Sequence, residues 1–211
     1  MKYFPFFMDV SGKHGLIVGG GQVAYQKLRA MLSYDITMTV IGENICDQIK
    51  KTTKEHPEKI EWKEQQFAST DLKQADVVFA ATSNEMLNHL IAEECKKMHL
   101  LVNVVDQQEE CNFIMPAILH TEELQIAISS GGTSPAAVGY LKRFLEMKIP
   151  DGFDRLVRQL GDCRGYVKEM VPDQKVRKRV FDWLLILGIQ NKCSISDKLI
   201  KEVVAQMSQE E

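Results

Sequence analysis

Short apolar runs recur along the first half of the chain, each closed by glycine or polar residues and followed by a stretch of helical spacing. Residues 16–18 (LIV) form the first run; beyond three glycines, Val23, Leu28, Met31 and Leu32 recur as one helical face. Residues 36–41 (ITMTVI) are β-branched and predict a second strand, and 60–67 predict a third. Residues 76–81 (DVVFAA) predict another, ending in Thr82, Ser83 and Asn84, a helix-start signal for a helix over 85–98. Residues 100–105 (LLVNVV) form the next apolar run, which ends at Asp106. Ahead of all these, Tyr3, Phe4, Phe6 and Phe7 predict a lead-in strand. Strands alternating with helices at this spacing imply right-handed βαβ units and a parallel sheet of the Rossmann type. Ligands of such sheets lie off the carboxyl ends of the strands, where Gly19, Glu43, Thr82 and Asp106 all fall.

The pattern changes after Asp106. Two short apolar strands are expected over 113–120 and 124–129, joined as a hairpin by Thr121, Glu122 and Glu123. The run SSGGTSP follows, with Ser134 placed to cap a helix and Pro135 in its first turn; Leu141, Phe144 and Leu145 lie along that helix. A strand–strand–helix unit of this size buries little surface alone and needs a partner, either the first domain or a second subunit. Residues 150–152 (PDG) mark a further boundary, and the remainder reads as helical. Leu156 and Leu160 share a spacing, as do Val180, Trp183, Leu184 and Leu187, with Gly188 expected to stop that helix. The expected organisation is therefore a Rossmann domain over 1–112, a small α+β domain over 113–149 and a helical domain over 150–211.

Composition narrows the class without naming a chemistry. Of 211 residues, 45% are hydrophobic and 26% charged, as in ordinary globular proteins, and no apolar run is long enough to span a bilayer. The N-terminus lacks a signal-peptide pattern, so a cytoplasmic location is expected. A net charge of −3 gives no reason to expect nucleic acid. The five cysteines are scattered without a C-x-x-C pair, which predicts reduced thiols and neither a disulfide framework nor a zinc site. The basic cluster Lys175, Arg177, Lys178 and Arg179 could bind an anion or form a solvated helix face.

The stretch GLIVGGGQVAYQK over 15–27 carries the first specific chemistry. Gly19, Gly21 and Ala24 fit G-x-G-x-x-A, the form of a dinucleotide-binding turn. Gly19 permits the tight strand-to-helix turn, and Gly21 lets a pyrophosphate approach the backbone. Ala24 packs the helix closely on the strand, and the free N–H groups of the helix start face the phosphates. The same pattern also describes any glycine-rich turn between a strand and a helix. Glu43 is the sole acid near the position of the ribose partner, slightly late in the chain, and no arginine follows at once to hold a 2′-phosphate. NAD is therefore favoured over NADP.

Four further stretches raise the specificity. The set YFPFFMDVSGK, IVGGGQVA, VVFAATSN, NVVDQQEECNFIMPAI and AISSGGTSPA resembles the precorrin-2 dehydrogenase family, the N-terminal module of sirohaem synthases. The likeness covers roughly residues 1–150, and the FIMPAI and SSGGTSP segments discriminate far better than the glycine turn. The resemblance implies NAD-dependent oxidation of precorrin-2, a polycarboxylate tetrapyrrole, to sirohydrochlorin in sirohaem biosynthesis; some members also insert ferrous iron. It implies a homodimer whose active-site cleft involves both subunits. It places the catalytic aspartate on Asp106, a substrate-lining serine on Ser130, and cofactor-binding pairs on Gln22 with Val23 and Glu43 with Asn44. From the residues alone, Asp106 reads equally as a general base or as a cap of the following turn. Ser134 already accounts for capping the helix, which leaves Ser130 freer for substrate. His120 is the histidine nearest in sequence to the expected cleft, and no histidine or carboxylate spacing suggests a resident metal. A NAD- or tetrapyrrole-binding protein without turnover is the alternative class.

Overall fold

The computed structural model describes residues 2–208. The chain forms two compact units, Met1–Met115 and Pro116–Glu211. The first contains β1 (Lys13–Val18), α1 (Gln22–Met31), β2 (Ile36–Gly42), α2 (Asp47–Glu55), β3 (Ile60–Glu64), β4 (Val77–Ala80), α3 (Glu85–Lys97) and β5 (Leu101–Val104). The strands pair in parallel in the order β3-β2-β1-β4-β5. Their near-continuous Val, Ile and Leu content follows from burial on both faces. Because successive side chains alternate, Leu16 and Val18 pack with Ile91, Ala92 and Cys95 on one face of the sheet. Ile17 packs with Ala24, Leu28 and Ile49 on the other. The result is a Rossmann-like doubly wound layer structure.

Two features of this unit depart from the sequence expectation. Helix α2 (DQIKKTTKE) stands where no element is predicted, because Ile49 is its only apolar residue and no apolar run marks it; Ile49 and Thr52 are its only buried residues. The aromatic lead-in forms no strand: Phe4, Phe6 and Phe7 are exposed. Both edges of β1 are already taken by β2 and β4, so the lead-in has no vacant edge there.

The second unit opens with an antiparallel pair, β6 (Ala117–His120) and β7 (Gln125–Ile128), in the register Ala117↔Ile128. Its turn is closed by Thr121, whose N–H donates to the Leu124 carbonyl at 2.9 Å and whose hydroxyl accepts from the Leu124 N–H at 3.1 Å. Helix α4 (Pro135–Lys148) follows, then α5 (Phe153–Asp162), α6 (Arg164–Met170), α7 (Gln174–Gln190) and α8 (Asp197–Ser208). Leu156, Val167, Val180, Leu184, Val203 and Val204 form the core of the last four helices. No residue of α4 is buried.

Gly188 does not stop its helix, as its sequence position suggests; α7 continues to Gln190. A Cβ at Gly188 would lie 2.4 Å from Leu156 Cδ1, so the glycine is a notch that lets α5 approach α7. Helix-interior glycine costs about 1 kcal/mol of propensity, which the close packing of Leu156 offsets.

Candidate functional site

At the carboxyl edge of the sheet the backbone ladder runs one residue past the strands. The Gly19 N–H donates to the Ile41 carbonyl at 2.7 Å, that of Ala81 to Val18 at 2.7 Å, and that of Val105 to Ala80 at 3.0 Å. The residues that follow β1, β2, β4 and β5 are thereby drawn to one edge. The chain order reverses between β1 and β4, which makes that edge a topological switch point.

Three glycines interlock there. Gly19 has φ +124°, and a Cβ on it would sit 2.2 Å from the Ala81 carbonyl oxygen. A Cβ on Gly20 would sit 2.0 Å from the Asn44 carbonyl oxygen, and one on Gly42 would sit 2.9 Å from the Gly20 nitrogen. Gly19 and Gly20 therefore serve the protein's own backbone. Gly21 is different: a Cβ on it would meet nothing within 4 Å. It is the N-cap of α1, no side chain caps that helix, and its first turn holds no acid. An uncapped, acid-free helix start facing open space fits a pyrophosphate. Gln22 and Val23 are exposed on that first turn, while Ala24 is fully buried beneath it.

The flanking strand ends bring different groups. After β2, the Glu43 carboxylate accepts from Gln66 Nε2 at 2.6 Å, so it is held in place while remaining exposed. Asn44 contributes its backbone, against Gly20. After β4, the Thr82 hydroxyl donates to Asn88 Oδ1 at 2.7 Å and accepts from the Asn84 N–H at 3.1 Å. That hydroxyl is committed to the turn into α3, which Asn84 caps at the Leu87 N–H.

After β5, Asp106 adopts the left-handed conformation with φ +60°. Aspartate tolerates this better than most residues, at a cost of about 1 kcal/mol. Its carboxylate is exposed and forms no hydrogen bond among the described residues, so it does not cap the short 3-10 turn Gln108–Glu110 that follows. Lys27 of α1 reaches toward the same region, its ammonium donating to Asn103 Oδ1 at 2.9 Å. Burial pulls the Lys27 pKa below its ordinary value, opposed by the nearby Cys111 and Asp106.

Residues 6–117, which carry this edge, match a family model described as putative NAD(P)-binding. The chain belongs to that NAD(P)-binding family. It is also 34% identical over 178 residues to the sirohaem synthase of Zymomonas mobilis subsp. mobilis, covering 84% of this chain and 37% of that protein. The sirohaem synthase of Actinobacillus pleuropneumoniae serotype 3 is 34% identical over 184 residues, covering 87% of this chain and again 37% of the relative. The chain thus spans a little over a third of the length of these relatives. A solved structure, SirC, a precorrin-2 dehydrogenase, superposes with a TM-score of 0.69 at 21% identity, covering 98% of this chain and all of that one. The last is a likeness of fold.

The remaining expected site residues lie in the second unit. Ser130 is not left idle by Ser134. Its hydroxyl accepts from the Ser134 N–H at 2.9 Å, while Ser134 accepts from the Ala137 N–H at 3.3 Å, so the two serines share the helix entry. Ser130 still has its own hydroxyl proton to donate. His120 ends β6 and is exposed. No motif in the sequence marks Gln66, Lys27 or Cys111. The first two are lone polar residues without a motif, though Lys27 sits inside the glycine-turn stretch. The third is a lone cysteine whose meaning depends on the fold of its loop.

Proposed function

We propose that this protein is an NAD-dependent dehydrogenase of precorrin-2, forming sirohydrochlorin, with Asp106 as the general base. The observation that carries the reading is the pairing, on one sheet edge, of an open Gly21 helix start with an exposed carboxylate, held in a left-handed turn near Lys27 and free of hydrogen bonds among the described residues. The names of two sirohaem synthases, each 34% identical to this chain over the matched stretch, support the pathway, and the name of the fold neighbour SirC, a precorrin-2 dehydrogenase, supports the substrate. Bound NAD supplies a hydride acceptor. The chain supplies the rest. Gly21, Gln22 and Val23 hold the pyrophosphate half of the cofactor on the tight turn that Gly19 permits, with the Thr82 turn bordering them. Glu43, fixed by Gln66, accepts from the adenosine ribose hydroxyls, and with Asn44 favours NAD over NADP. Asp106 takes the proton released as the substrate carbon gives up hydride. Ser130 and His120 are assigned to the substrate's carboxylates.

We also assign a homodimer, formed through α4 and the β6–β7 pair, and a cytoplasmic location. Tyr140 and Met147 of α4 are 61% and 76% exposed, and Tyr140 stacks on Phe144 with ring centroids 6.3 Å apart. An apolar helix face of this kind supports association. Among the described residues no helix is long and apolar enough to cross a membrane.

The test is anaerobic mixing of protein, NAD and precorrin-2, following NADH and sirohydrochlorin absorbance; absence of NADH discards the reading. Asp106→Asn keeps a residue suited to the left-handed turn and removes the base. Its expected outcome is unchanged or slightly higher melting temperature, unchanged NAD affinity and a loss of turnover on the order of a hundredfold or more.

A further inference from the structure

The turn that carries Asp106 is braced from inside by a buried side chain. After β5 the chain leaves the sheet at Val105 and returns at Asn112. The return is closed by the Asn112 N–H donating to the Val102 carbonyl at 3.1 Å and the Val102 N–H donating to Asn112 Oδ1 at 2.8 Å. Asn112 Nδ2 also donates to the Leu100 carbonyl at 2.7 Å. Cys111 lies inside the excursion between these points. Its buried thiol accepts from the Val104 N–H at 3.1 Å and lies 3.3 Å from the Val104 carbonyl and 3.4 Å from the Gln107 carbonyl. One thiol proton serves either carbonyl, so the sulfur ties together the backbone on both sides of Asp106.

Below the thiol sits a second brace. The buried Asn103 amide donates to the Phe113 carbonyl at 3.2 Å and lies 3.7 Å from Cys111 Sγ. Its oxygen accepts from Lys27, which connects the turn to the cofactor-side helix α1. The left-handed backbone at Asp106 has little intrinsic preference to persist, so the surrounding bonds must hold it.

We propose that Cys111 is a positioning residue for Asp106, with Lys27 anchoring it through Asn103. This rests on Asp106 being the base. Carboxylate placement to within about 1 Å is worth up to roughly a hundredfold in rate, so loosening the turn acts on chemistry before it acts on binding.

The experiment compares Cys111→Ala, Cys111→Ser and Lys27→Met with the parent enzyme, measuring kcat, KM for each substrate, NAD affinity by fluorescence titration, and melting temperature. Cys111→Ala is expected to lower kcat on the order of tenfold with NAD affinity held within about twofold. Cys111→Ser, which keeps a donor and an acceptor, is expected to recover most of that rate. Lys27→Met is expected to lower kcat in the same sense by a smaller factor. Unimpaired turnover in Cys111→Ala overturns the proposal. So does a loss that serine fails to recover and that follows melting temperature or NAD affinity. Asp106→Asn run alongside separates the two layers. An active Asp106→Asn removes the base assignment itself, whereas an inactive one beside an unimpaired Cys111→Ala removes only the positioning role.

Discussion

Two glycine-rich turns lead from a strand into a helix in this chain, and they do opposite things. Before α1, the glycines take the steric load: Gly19 and Gly20 fit against neighbouring carbonyls, and the helix start stays uncapped. Before α4, Ser130 and Ser134 fill the helix entry with their own hydroxyls. The helices differ in the same direction. Helix α1 buries Ala24 and Leu28 beneath its open N-terminus, whereas α4 is capped and buries nothing. Local composition alone does not separate an open helix start from a filled one. What separates them is whether the helix start is already satisfied and whether its apolar face is already covered.

The contrast can be broken most forcefully at the glycines. Gly20→Ala drives a Cβ into the Asn44 carbonyl and is expected to cost on the order of 3 kcal/mol or more, seen as a collapse of the melting temperature. Gly21→Ala meets nothing in the protein, so it should change stability by about 1 kcal/mol or less while weakening NAD binding on the order of tenfold. Equal effects at the two positions would dissolve the distinction between a structural and a ligand-facing glycine.

The uncovered face of α4 comes next. Phe144→Glu places a charge on it and, if the proposed dimer forms through this face, should leave the chain monomeric by light scattering, with little change in NAD affinity. Ser134→Ala removes the cap at Ala137 and should cost about 1 kcal/mol, a change with no counterpart at the uncapped start of α1.

The smallest effect lies in acid. The Thr121 hydroxyl, foremost, and the Glu123 N–H hold the Asp154 carboxyl below its ordinary value. A depressed carboxylate stabilises the fold above its unfolded pKa, about 3.9, and that contribution is lost as pH falls through the lower folded value. Asp154→Asn should therefore narrow the stability difference between neutral and acid solution, measured by thermal melts down the pH scale. An unchanged profile would detach the hairpin turn from α5.

Much of the first unit is legible in sequence because strands buried on both faces write themselves as continuous apolar runs. The runs 36–41, 76–81 and 100–105 become β2, β4 and β5 with ends shifted by a residue or so. The Ser134 cap is legible for a similar reason, since a short polar side chain before proline has one good local use. Helix α2 is illegible because a lone apolar residue, Ile49, in a polar segment looks like a loop until the sheet supplies something to bury it against. The aromatic lead-in misleads because β propensity says nothing about neighbours: β1, the strand it leads into, is already paired on both sides by β2 and β4. Gly188 misleads because a glycine that admits Leu156 looks the same in sequence as one that ends a helix. At the candidate site, the glycines and Asp106 stand out by spacing and strand position. Gln66, Lys27 and Cys111 act through partners far away in the chain or through the shape of a loop, which no local pattern records.

The seam of Gly19, Gly20 and Gly42 has a thermodynamic consequence. A cradle made by three strand ends pressing on one another does not exist in a chain whose sheet is open. The dinucleotide consequently has affinity for the folded state and essentially none for the unfolded one, and mass action makes it a structural constituent of the first unit. At a hundred times its dissociation constant, such a ligand adds about 2.7 kcal/mol to the unfolding free energy. The lifetime of the chain is then tied to the supply of its cofactor: when the pool falls, the protein loses its occupant and the protection that came with it.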